Sequence, residues 1–350
     1  MEWDPSRFFR PEGSPSPYAL LMLNQPINER AFTVLSQHAS YIICADGGAN
    51  RLFDMMKAQG KESTEPRQYG NKDKPVFLKI QGVKHSDLHI TQLPDKIIGD
   101  LDSIRPSVRQ HYEKLEVSVV KDPDQYSTDF TKCLKYLNSH ASEIIQSPRK
   151  QKVATSRTGQ ETISTNESCS VPSPKLEIVI LGGLGGRVDQ AFSQIHHLYM
   201  MTQTQRQLQA SSSSQDVSPG AGGNLYLISE ESISFVLQKG KNIILTPRTN
   251  RPPESETIRS GLSPDEAGDN DGPPSSSERE YYFEENIGII PLSAPASITT
   301  QGFEWDVEDW HTEIGGQIST SNHIRADKVE VSTNVPVLFT AELAQRLKRA

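Results

Sequence analysis

Residues 97–132 read IIGDLDSIRPSVRQHYEKLEVSVVKDPDQYSTDFTK, and this stretch decides the fold. Two short apolar segments, residues 97–98 and 117–120, each run into a loop that is rich in aspartate. The ligand site of an open α/β sheet lies beyond the carboxyl ends of its strands. The pattern therefore predicts two buried strands with an acidic site at their shared edge. The carboxylates that would build it are Asp100, Asp102, Asp122, Asp124 and Asp129.

A cation is expected among these carboxylates, because a cluster of like charges repels itself without one. Mg²⁺ takes hard oxygen ligands, usually one or two carboxylates together with waters and phosphate oxygens. Asp100 and Asp102 stand at i and i+2, so an extended segment would point both the same way and let them hold one ion. The alternative is that Asp102 caps the helix that begins near Ile104, and the two roles are compatible. We predict a magnesium and phosphate site.

Further strand and helix signals surround this stretch. Apolar strands are predicted at residues 18–23, 41–45 and 176–181, and a helix is predicted after each of them. Thr128 is the predicted N-cap of a helix whose apolar residues stand at i, i+4 and i+7. Strands that alternate with helices predict a mainly parallel sheet covered on both faces.

Two more strand-to-helix junctions carry unusual residues, namely DGGAN at 46–50 and GGLGGRVDQ at 182–190. A single acidic turn commonly serves only as a cap or a turn, but four such junctions on one sheet edge favour a functional site. The second loop matches neither the P-loop nor the dinucleotide fingerprint. Its glycines, among them Gly183 and Gly185, would let backbone N–H groups approach a phosphate, and the Arg187 fork suits phosphate oxygens. Glycines that serve turn geometry alone are the alternative.

Composition divides the chain into two domains. We predict an α/β domain over residues 18–205, a linker over 206–223, and a second domain over 224–350. Short strands separated by turn signals in the second domain predict an antiparallel β-sandwich or barrel. Residues 1–17 are rich in Pro and Ser and are predicted to be a flexible lead. Three polar tracts, which we predict to be tolerated surface insertions, cover residues 60–92, 141–174 and 249–282.

Charge and composition argue against several classes of protein. The 350 residues carry a net charge of −8 and show no basic stripe, which argues against a nucleic-acid surface. Three cysteines without metal-ligand spacing favour neither a disulfide framework nor a zinc site, and they fit a reducing compartment. Residues 1–17 are not expected to form a signal peptide of the usual form, and no run of 18 apolar residues occurs in these 350, so we predict a cytoplasmic protein that does not insert into membranes.

In the second domain, TTQGFEWDVEDW at 299–310 and the nearby GGQISTSNH at 315–323 stand out. An aromatic residue in a β domain usually belongs to the core. Trp305, however, lies among Glu304, Asp306 and Glu308, and an exposed ring there could stack on a flat cationic ligand.

Taken together, these motifs resemble the thiamine pyrophosphokinase family, in its eukaryotic, fungal-like type with long insertions. The resemblance implies an α/β nucleotide-binding domain followed by a β-sandwich, and a homodimer with thiamine at the subunit interface. It also implies transfer of the pyrophosphoryl group of ATP to thiamine, giving thiamine diphosphate and AMP. The matching stretches are ICADGGANRL (43–52), IIGDLDSI (97–104), DQYSTDFTKCL (124–134), ILGGLGGRVDQ (180–190), IIPL (289–292), TTQGFEW (299–305), QISTSN (317–322) and STNVPVLFTAE (332–342).

The resemblance also implies roles for single residues, in three sets. Metal binding and catalysis would fall to Asp100, Asp102 and Asp129, with Asp46 as a further catalytic carboxylate. ATP and phosphate binding would fall to Gln125, Thr128, Gly183, Gly185 and Arg187. Thiamine binding would fall to Asn50, Asp189, Trp305, Ser319 and Ser321.

One position departs from the family pattern, because Tyr126 stands where many members have aspartate. If that acid is essential, activity here would depend on Asp122 or Asp124 instead. Two alternatives therefore stay open at this point. One is a Mg²⁺-dependent phosphotransferase or phosphohydrolase acting on another alcohol, and the other is a catalytically silent binder of thiamine or nucleotide.

Overall fold

The computed structural model describes residues 1–60, 93–147, 174–211, 217–247, 249–251 and 281–349. Most of each of the three predicted insertions lies outside these residues. The chain forms two compact units. The α/β unit comprises Arg7–Val236 with Lys348–Ala350, and the β unit comprises Met1–Ser6 with Leu237–Leu347.

Strands and helices alternate along the α/β unit, and their numbers follow the whole chain, in which β1 belongs to the β unit. Among the described residues the longest helix is α6, and none of the helices there is both long and apolar enough to cross a membrane. The elements are β2 (Tyr18–Met22), α1 (Glu29–His38), β3 (Tyr41–Ala45), α2 (Gly48–Ala58), β4 (Lys96–Gly99), α3 (Pro106–Lys114), β5 (Ser118–Lys121), α4 (Asp129–Ser139), α5 (Ala141–Gln146), β6 (Glu177–Leu181), α6 (Val188–Ala210), β7 (Leu225–Ile228) and β8 (Ser232–Leu237).

The sheet of the α/β unit has the strand order β8-β7-β6-β2-β3-β4-β5. All its pairs are parallel except β7 with β8. Strands β2 and β6, at its centre, read YALLM and EIVIL, and every residue in them is buried. Nearly continuous apolar strands of this kind require cover on both faces. The predicted mainly parallel α/β sheet is confirmed.

The α/β unit extends further along the chain than predicted. Strand β7 pairs with β6 in parallel, with Ile178 opposite Leu225, so it completes the first sheet instead of opening a second domain. Helix α6 also runs through the predicted boundary at residue 205. The correction has a physical reason. A short apolar run such as LYLI suits a parallel strand and a sandwich strand equally well, and only the pairing partner decides.

The predicted flexible lead, residues 1–17, contributes buried residues to each unit. Its first six residues belong to the β unit, and the rest belongs to the α/β unit. Trp3 lies in the β unit with 1% of its surface exposed, and its indole N–H donates to Asn242 over 3.1 Å. In the α/β unit the buried Phe8 ring meets Tyr18 at 5.2 Å and Tyr226 at 4.8 Å, both edge to face. Composition alone missed this segment, because its few aromatic residues stand among Pro and Ser.

Two of the predicted insertions also begin differently. Residues 141–146 form helix α5, in which Ala141 and Ile144 are buried, so the second insertion starts no earlier than residue 147. Thr249 and Asn250 form a short strand at the start of the third insertion.

The β unit consists of short strands in two sheets. One sheet has the order β1-β9-β15-β12-β13, and in the other β11 pairs with β16 and β14 in antiparallel fashion and with β10 in parallel. This mainly antiparallel arrangement agrees with the predicted β-sandwich. The strands are β1 (Glu2–Trp3), β9 (Gly240–Leu245), β10 (Thr249–Asn250), β11 (Phe283–Pro291), β12 (Ala296–Gln301), β13 (Trp310–Thr312), β14 (Ser319–His323), β15 (Lys328–Thr333) and β16 (Val337–Leu343).

The packing of the lead predicts the effect of truncating Phe8. Phe8→Ala should lower the free energy of unfolding by about 3–5 kcal/mol, because it removes a buried ring and leaves a cavity. Urea denaturation measures this. Phe192 is 67% exposed, so Phe192→Ala is the matched control and should change stability by no more than about 0.5 kcal/mol. Equal effects of the two substitutions would contradict the packed lead.

Candidate active site at the carboxyl edge of the parallel sheet

Three carboxylates meet where neighbouring strands of the parallel sheet end. Asp46 follows β3, Asp100 follows β4, and Asp129 opens α4 beyond β5. One oxygen of each lies within 4.8 Å of the others. Asp46 is buried, and the other two are partly exposed. Among the described residues this group, hereafter the carboxylate triad, has the chemistry and spacing of a divalent-cation site.

The carboxylate of Asp46 is fixed by the loop that follows β4. One of its oxygens accepts from the Ser103 N–H over 2.8 Å, and the other accepts from the Ile104 N–H over 3.1 Å. Burial raises the pKa of the Asp46 carboxyl above its usual value, and the charges of Asp129 and Asp100 add to this, although the two N–H bonds act in the opposite direction. A cation bound beside Asp46 would therefore lower the electrostatic cost of its negative charge.

Gly99 permits the close approach of the triad. A Cβ at this position would lie 2.5 Å from the Asp46 Cβ and 3.1 Å from an oxygen of Asp129. Contacts under 3.0 Å force neighbouring atoms to move. Only glycine therefore lets β4 end directly between the two carboxylates.

The triad differs from the predicted ligand set of Asp100, Asp102 and Asp129. Leu101 has a φ of 65°, so the segment is not extended and the i, i+2 argument loses its premise. Asp100 accepts from the Asp102 N–H over 3.2 Å, while the exposed Asp102 carboxylate accepts from the Ser103 hydroxyl over 2.8 Å. Asp102 lies at the rim of the site, and Asp46 takes the place expected for it.

A buried cation contacts the triad. The Lys132 ammonium donates to Asp129 over 3.0 Å, and only 2% of the lysine side chain is exposed. Burial alone would lower the pKa of Lys132, but the hydrogen bond to Asp129 and the charges of Asp129, Asp100 and Asp122 raise it overall. The ammonium thus offsets part of the negative charge. The sequence analysis missed Lys132, although its i+3 spacing from Asp129 on a helix was a usable signal.

The loop before α4 is shaped by its own carboxylates. Asp122 accepts from the Asp124 N–H over 3.0 Å, and Asp124 accepts from the Tyr126 N–H over 2.9 Å. Thr128 caps α4 as predicted, accepting from the Thr131 N–H over 3.3 Å. Gln125 is exposed, and so is the whole side chain of Tyr126. The departure from the family pattern at residue 126 therefore leaves the triad complete.

The glycine loop after β6 leads into an exposed ion pair. Both guanidinium nitrogens of Arg187 that face Asp189 donate to it, over 3.1 and 2.6 Å. The hydrogen bond from Arg187 lowers the pKa of Asp189. A Cβ at Gly183 would meet Leu227 at 2.7 Å, whereas Gly185 has φ 132° and a Cβ there would lie 3.9 Å from Pro26 and 4.0 Å from Glu230. The structure thus pairs two residues that were predicted to serve phosphate and thiamine separately.

Asn50, predicted to bind thiamine, ties α2 to the loop after β4. Its amide donates to the Ser103 carbonyl over 2.8 Å and accepts from the Arg105 N–H over 3.0 Å. It therefore supports the same loop whose N–H groups hold Asp46.

The other predicted thiamine residues lie in the β unit. The Trp305 side chain is 55% exposed, which is not the burial of a core residue. Ser319 opens β14 and is partly exposed, and Ser321 is exposed with a φ of 58°. Asn322 lies in the stretch noted in the sequence but was given no role of its own; it is buried and holds the backbone of Trp305 at both its N–H and its carbonyl.

Comparisons with known proteins agree with this architecture. The family profile described as "Thiamin pyrophosphokinase, catalytic domain" matches residues 32–210, and "Thiamin pyrophosphokinase, vitamin B1 binding domain" matches residues 276–338. Thiamine pyrophosphokinase 1 of Arabidopsis thaliana is 28% identical over 93% of this chain and 86% of its own length. Thiamine pyrophosphokinase of Saccharomyces cerevisiae is 25% identical over 93% of this chain and 85% of its own.

Solved structures share the fold. Thiamin pyrophosphokinase from Candida albicans superimposes with a TM-score of 0.61 at 22% identity, covering 98% of this chain and 93% of that one. The yeast enzyme gives 0.62 at 24% identity, with coverages of 98% and 91%. The catalytic-domain profile spans half of the chain, and the second profile falls on the β unit as the resemblance predicted. The chain belongs to the thiamin pyrophosphokinase family.

Proposed function

We propose that this chain transfers the pyrophosphoryl group of ATP to the hydroxyethyl oxygen of thiamine, giving thiamine diphosphate and AMP, in a Mg²⁺-dependent reaction. The observation that carries the proposal is the carboxylate triad at the carboxyl edge of a parallel sheet, within a chain of this family. Thiamine pyrophosphokinases of plants and yeast are its curated relatives. Neither a phosphohydrolase nor a silent binder has a specific observation in its favour.

The residues present fit Mg²⁺. All three triad members are carboxylates, the hard oxygen donors that this ion prefers, and two of them are partly exposed, which leaves room for water or phosphate oxygens. Asp46, Asp100 and Asp129 would hold the ion. When bound, Mg²⁺ supplies neutralisation of phosphate charge in the transition state.

The chain's own cations would act on the phosphates. Pyrophosphoryl transfer requires attack at the β-phosphorus while AMP departs, so catalysis depends on positioning and on charge stabilisation. The Arg187 side chain is exposed, so it would exchange Asp189 for phosphate oxygens, to which its fork is equally suited. The backbone N–H groups of the loop with Gly183 and Gly185, and the exposed Gln125 and Thr128 near the start of α4, would complete the contacts to ATP.

Thiamine would be bound by the exposed indole of Trp305, since an aromatic face attracts a flat cation. Ser319, Ser321, Asn50 and Asp189 would supply polar contacts. Assembly as a homodimer with thiamine at the subunit interface stays a prediction, which light scattering of the purified protein with and without thiamine would test. A cytoplasmic location is likewise a prediction.

The first prediction concerns the reaction and the metal site together. Wild-type protein with Mg·ATP should release AMP only when thiamine is present. Asp100→Asn should lower this rate by about 100-fold or more and raise the Mg²⁺ concentration for half-maximal rate, because it removes a charged ligand. Chromatography of the nucleotides measures both.

Glu113→Gln is the control for Asp100→Asn. Glu113 is an exposed carboxylate on α3 that pairs with Arg109, and its loss should leave the rate unchanged. Thiamine-independent ADP or phosphate from the wild type would point to another phosphoryl-transfer enzyme. Thiamine binding without any turnover would point to a silent binder.

The second prediction concerns Lys132. Without Mg²⁺, Lys132→Met should lower the free energy of unfolding by about 1–3 kcal/mol, because Asp129 loses a charged hydrogen-bond donor beside two other carboxylates. Added Mg²⁺ should then stabilise the variant more than it stabilises the wild type, since the ion replaces the missing positive charge. Thermal unfolding over a Mg²⁺ series measures both effects.

Lys135→Met is the matched control, because Lys135 lies on the same helix, is exposed and donates to Ser127. It should leave both the stability and the response to Mg²⁺ close to those of the wild type. Identical gains from Mg²⁺ in all three proteins would show that Lys132 does not share the metal's electrostatic role.

A further inference from the structure

The exposed indole of Trp305 stands on a rigid backbone. Asn322, which is 7% exposed, accepts from the Trp305 N–H over 3.2 Å and donates to the Trp305 carbonyl over 3.0 Å. The preceding residue, Glu304, donates its backbone N–H to the His323 carbonyl over 2.9 Å. Hydrogen bonds therefore join Glu304 and Trp305 of this loop to β14.

Asp306 closes the same loop from the other side. Its carboxylate accepts from the Gly302 N–H over 2.9 Å, from the Phe303 N–H over 3.2 Å and from the Thr300 hydroxyl over 3.0 Å. Gly302 has a φ of 95°, which a side chain would strain. The position of the Trp305 Cα is thus fixed, and only the side-chain torsions remain free to vary.

The ring of His323 lies beside the indole. The imidazole of His323 lies with its centroid 5.0 Å from that of Trp305, at an interplanar angle of 46°. In the described part of the chain no other aromatic ring pairs with Trp305. An exposed tryptophan without such a neighbour would sample several rotamers.

Charged groups from three elements hold the imidazole in turn. Its Nδ1 lies 2.7 Å from a carboxylate oxygen of Glu304 and 3.1 Å from a guanidinium nitrogen of Arg325. Arg325 also pairs with Glu304 and with Glu285 of β11. Hydrogen bonding from His323, and then from Arg325, lowers the pKa of Glu304. The imidazole therefore belongs to a polar network with Glu304, Arg325 and Glu285.

We propose that His323 is a positioning residue for thiamine. Held by Glu304, whose carboxylate also binds Arg325, its ring packs against one side of the Trp305 indole and fixes the rotamer, which leaves the remaining indole surface ready to stack on a flat heteroaromatic cation. The inference deepens the proposed function and rests on it for the identity of the ligand. Preorganisation raises affinity because the ordering cost of a side chain is met before binding.

Two substitutions separate the ring of His323 from its hydrogen bonds. His323→Asn keeps a polar atom near the position of Nδ1 but removes the ring, whereas His323→Phe keeps a flat ring and removes the polar atom. His323→Asn should raise the KM for thiamine about three- to tenfold, the size expected for one immobilised side chain. The KM for ATP and kcat should stay within about twofold. His323→Phe should restore most of the thiamine affinity.

A double-substitution cycle tests whether the effect passes through the indole. In a Trp305→Ala background, which itself raises the KM for thiamine, His323→Asn should have no further effect. Additive effects of the two substitutions would overturn the proposal. His311→Asn is the control, because His311 is an exposed histidine of the same unit and should leave the KM for thiamine unchanged.

Fluorescence supplies a readout that does not depend on activity. Acrylamide should quench the Trp305 emission, taken as the difference between wild type and Trp305→Ala, more strongly in His323→Asn than in wild type or His323→Phe. Unchanged quenching in His323→Asn, with a wild-type melting temperature, would overturn the proposal. A wild type that lacks thiamine-dependent AMP release would instead overturn the proposed function, and the quenching comparison would still decide the role of His323.

Discussion

The mutual repulsion of Asp46, Asp100 and Asp129 is the constraint on which the site depends. Their oxygens lie within 4.8 Å of one another, a separation at which like charges in a partly buried environment oppose folding. The chain meets this with two backbone N–H donors on Asp46 and the Lys132 ammonium on Asp129. These groups offset the charge only in part, which leaves a site suited to a divalent cation.

The parallel sheet provides the geometry that brings the carboxylates together. Strands β3, β4 and β5 are neighbours in the sheet and run in the same direction, so the residues that follow them emerge along one edge. Gly99 removes the side chain that would separate Asp46 from Asp129. Asn50 and the Ser103 and Ile104 N–H groups then fix the loop beyond β4. Buried strands thus place the carboxylates, and short polar contacts orient them.

The β unit solves a different problem by similar means. In the β unit the unfavourable feature is the exposure of an apolar ring to water, since Trp305 is more than half exposed. Asn322 and Asp306 satisfy the loop backbone, and the network of His323, Glu304 and Arg325 lies beside the indole. A large exposed aromatic group on a fixed backbone is typical of a binding surface, because its ordering cost is met during folding.

The sequence by itself determined the alternation of strands and helices, the Thr128 cap, the acidic junctions and the family, since each depends on local spacing or on ordered motifs. It placed Asp100 and Asp129 in the site for the same reason. Only the tertiary structure decided that Asp46 joins them while Asp102 lies at the rim, because Leu101 adopts a left-handed conformation that no residue type announces.

The pairing of β7 with β6, the burial of Phe8 against Tyr226 and the burial of the Lys132 side chain were likewise decided in three dimensions. An apolar tetrapeptide, a lone aromatic residue and a lysine are each compatible with several environments. Their environments depend on contacts between segments distant in the chain, or on the direction in which a helix faces the sheet. Local sequence predicts neither of these.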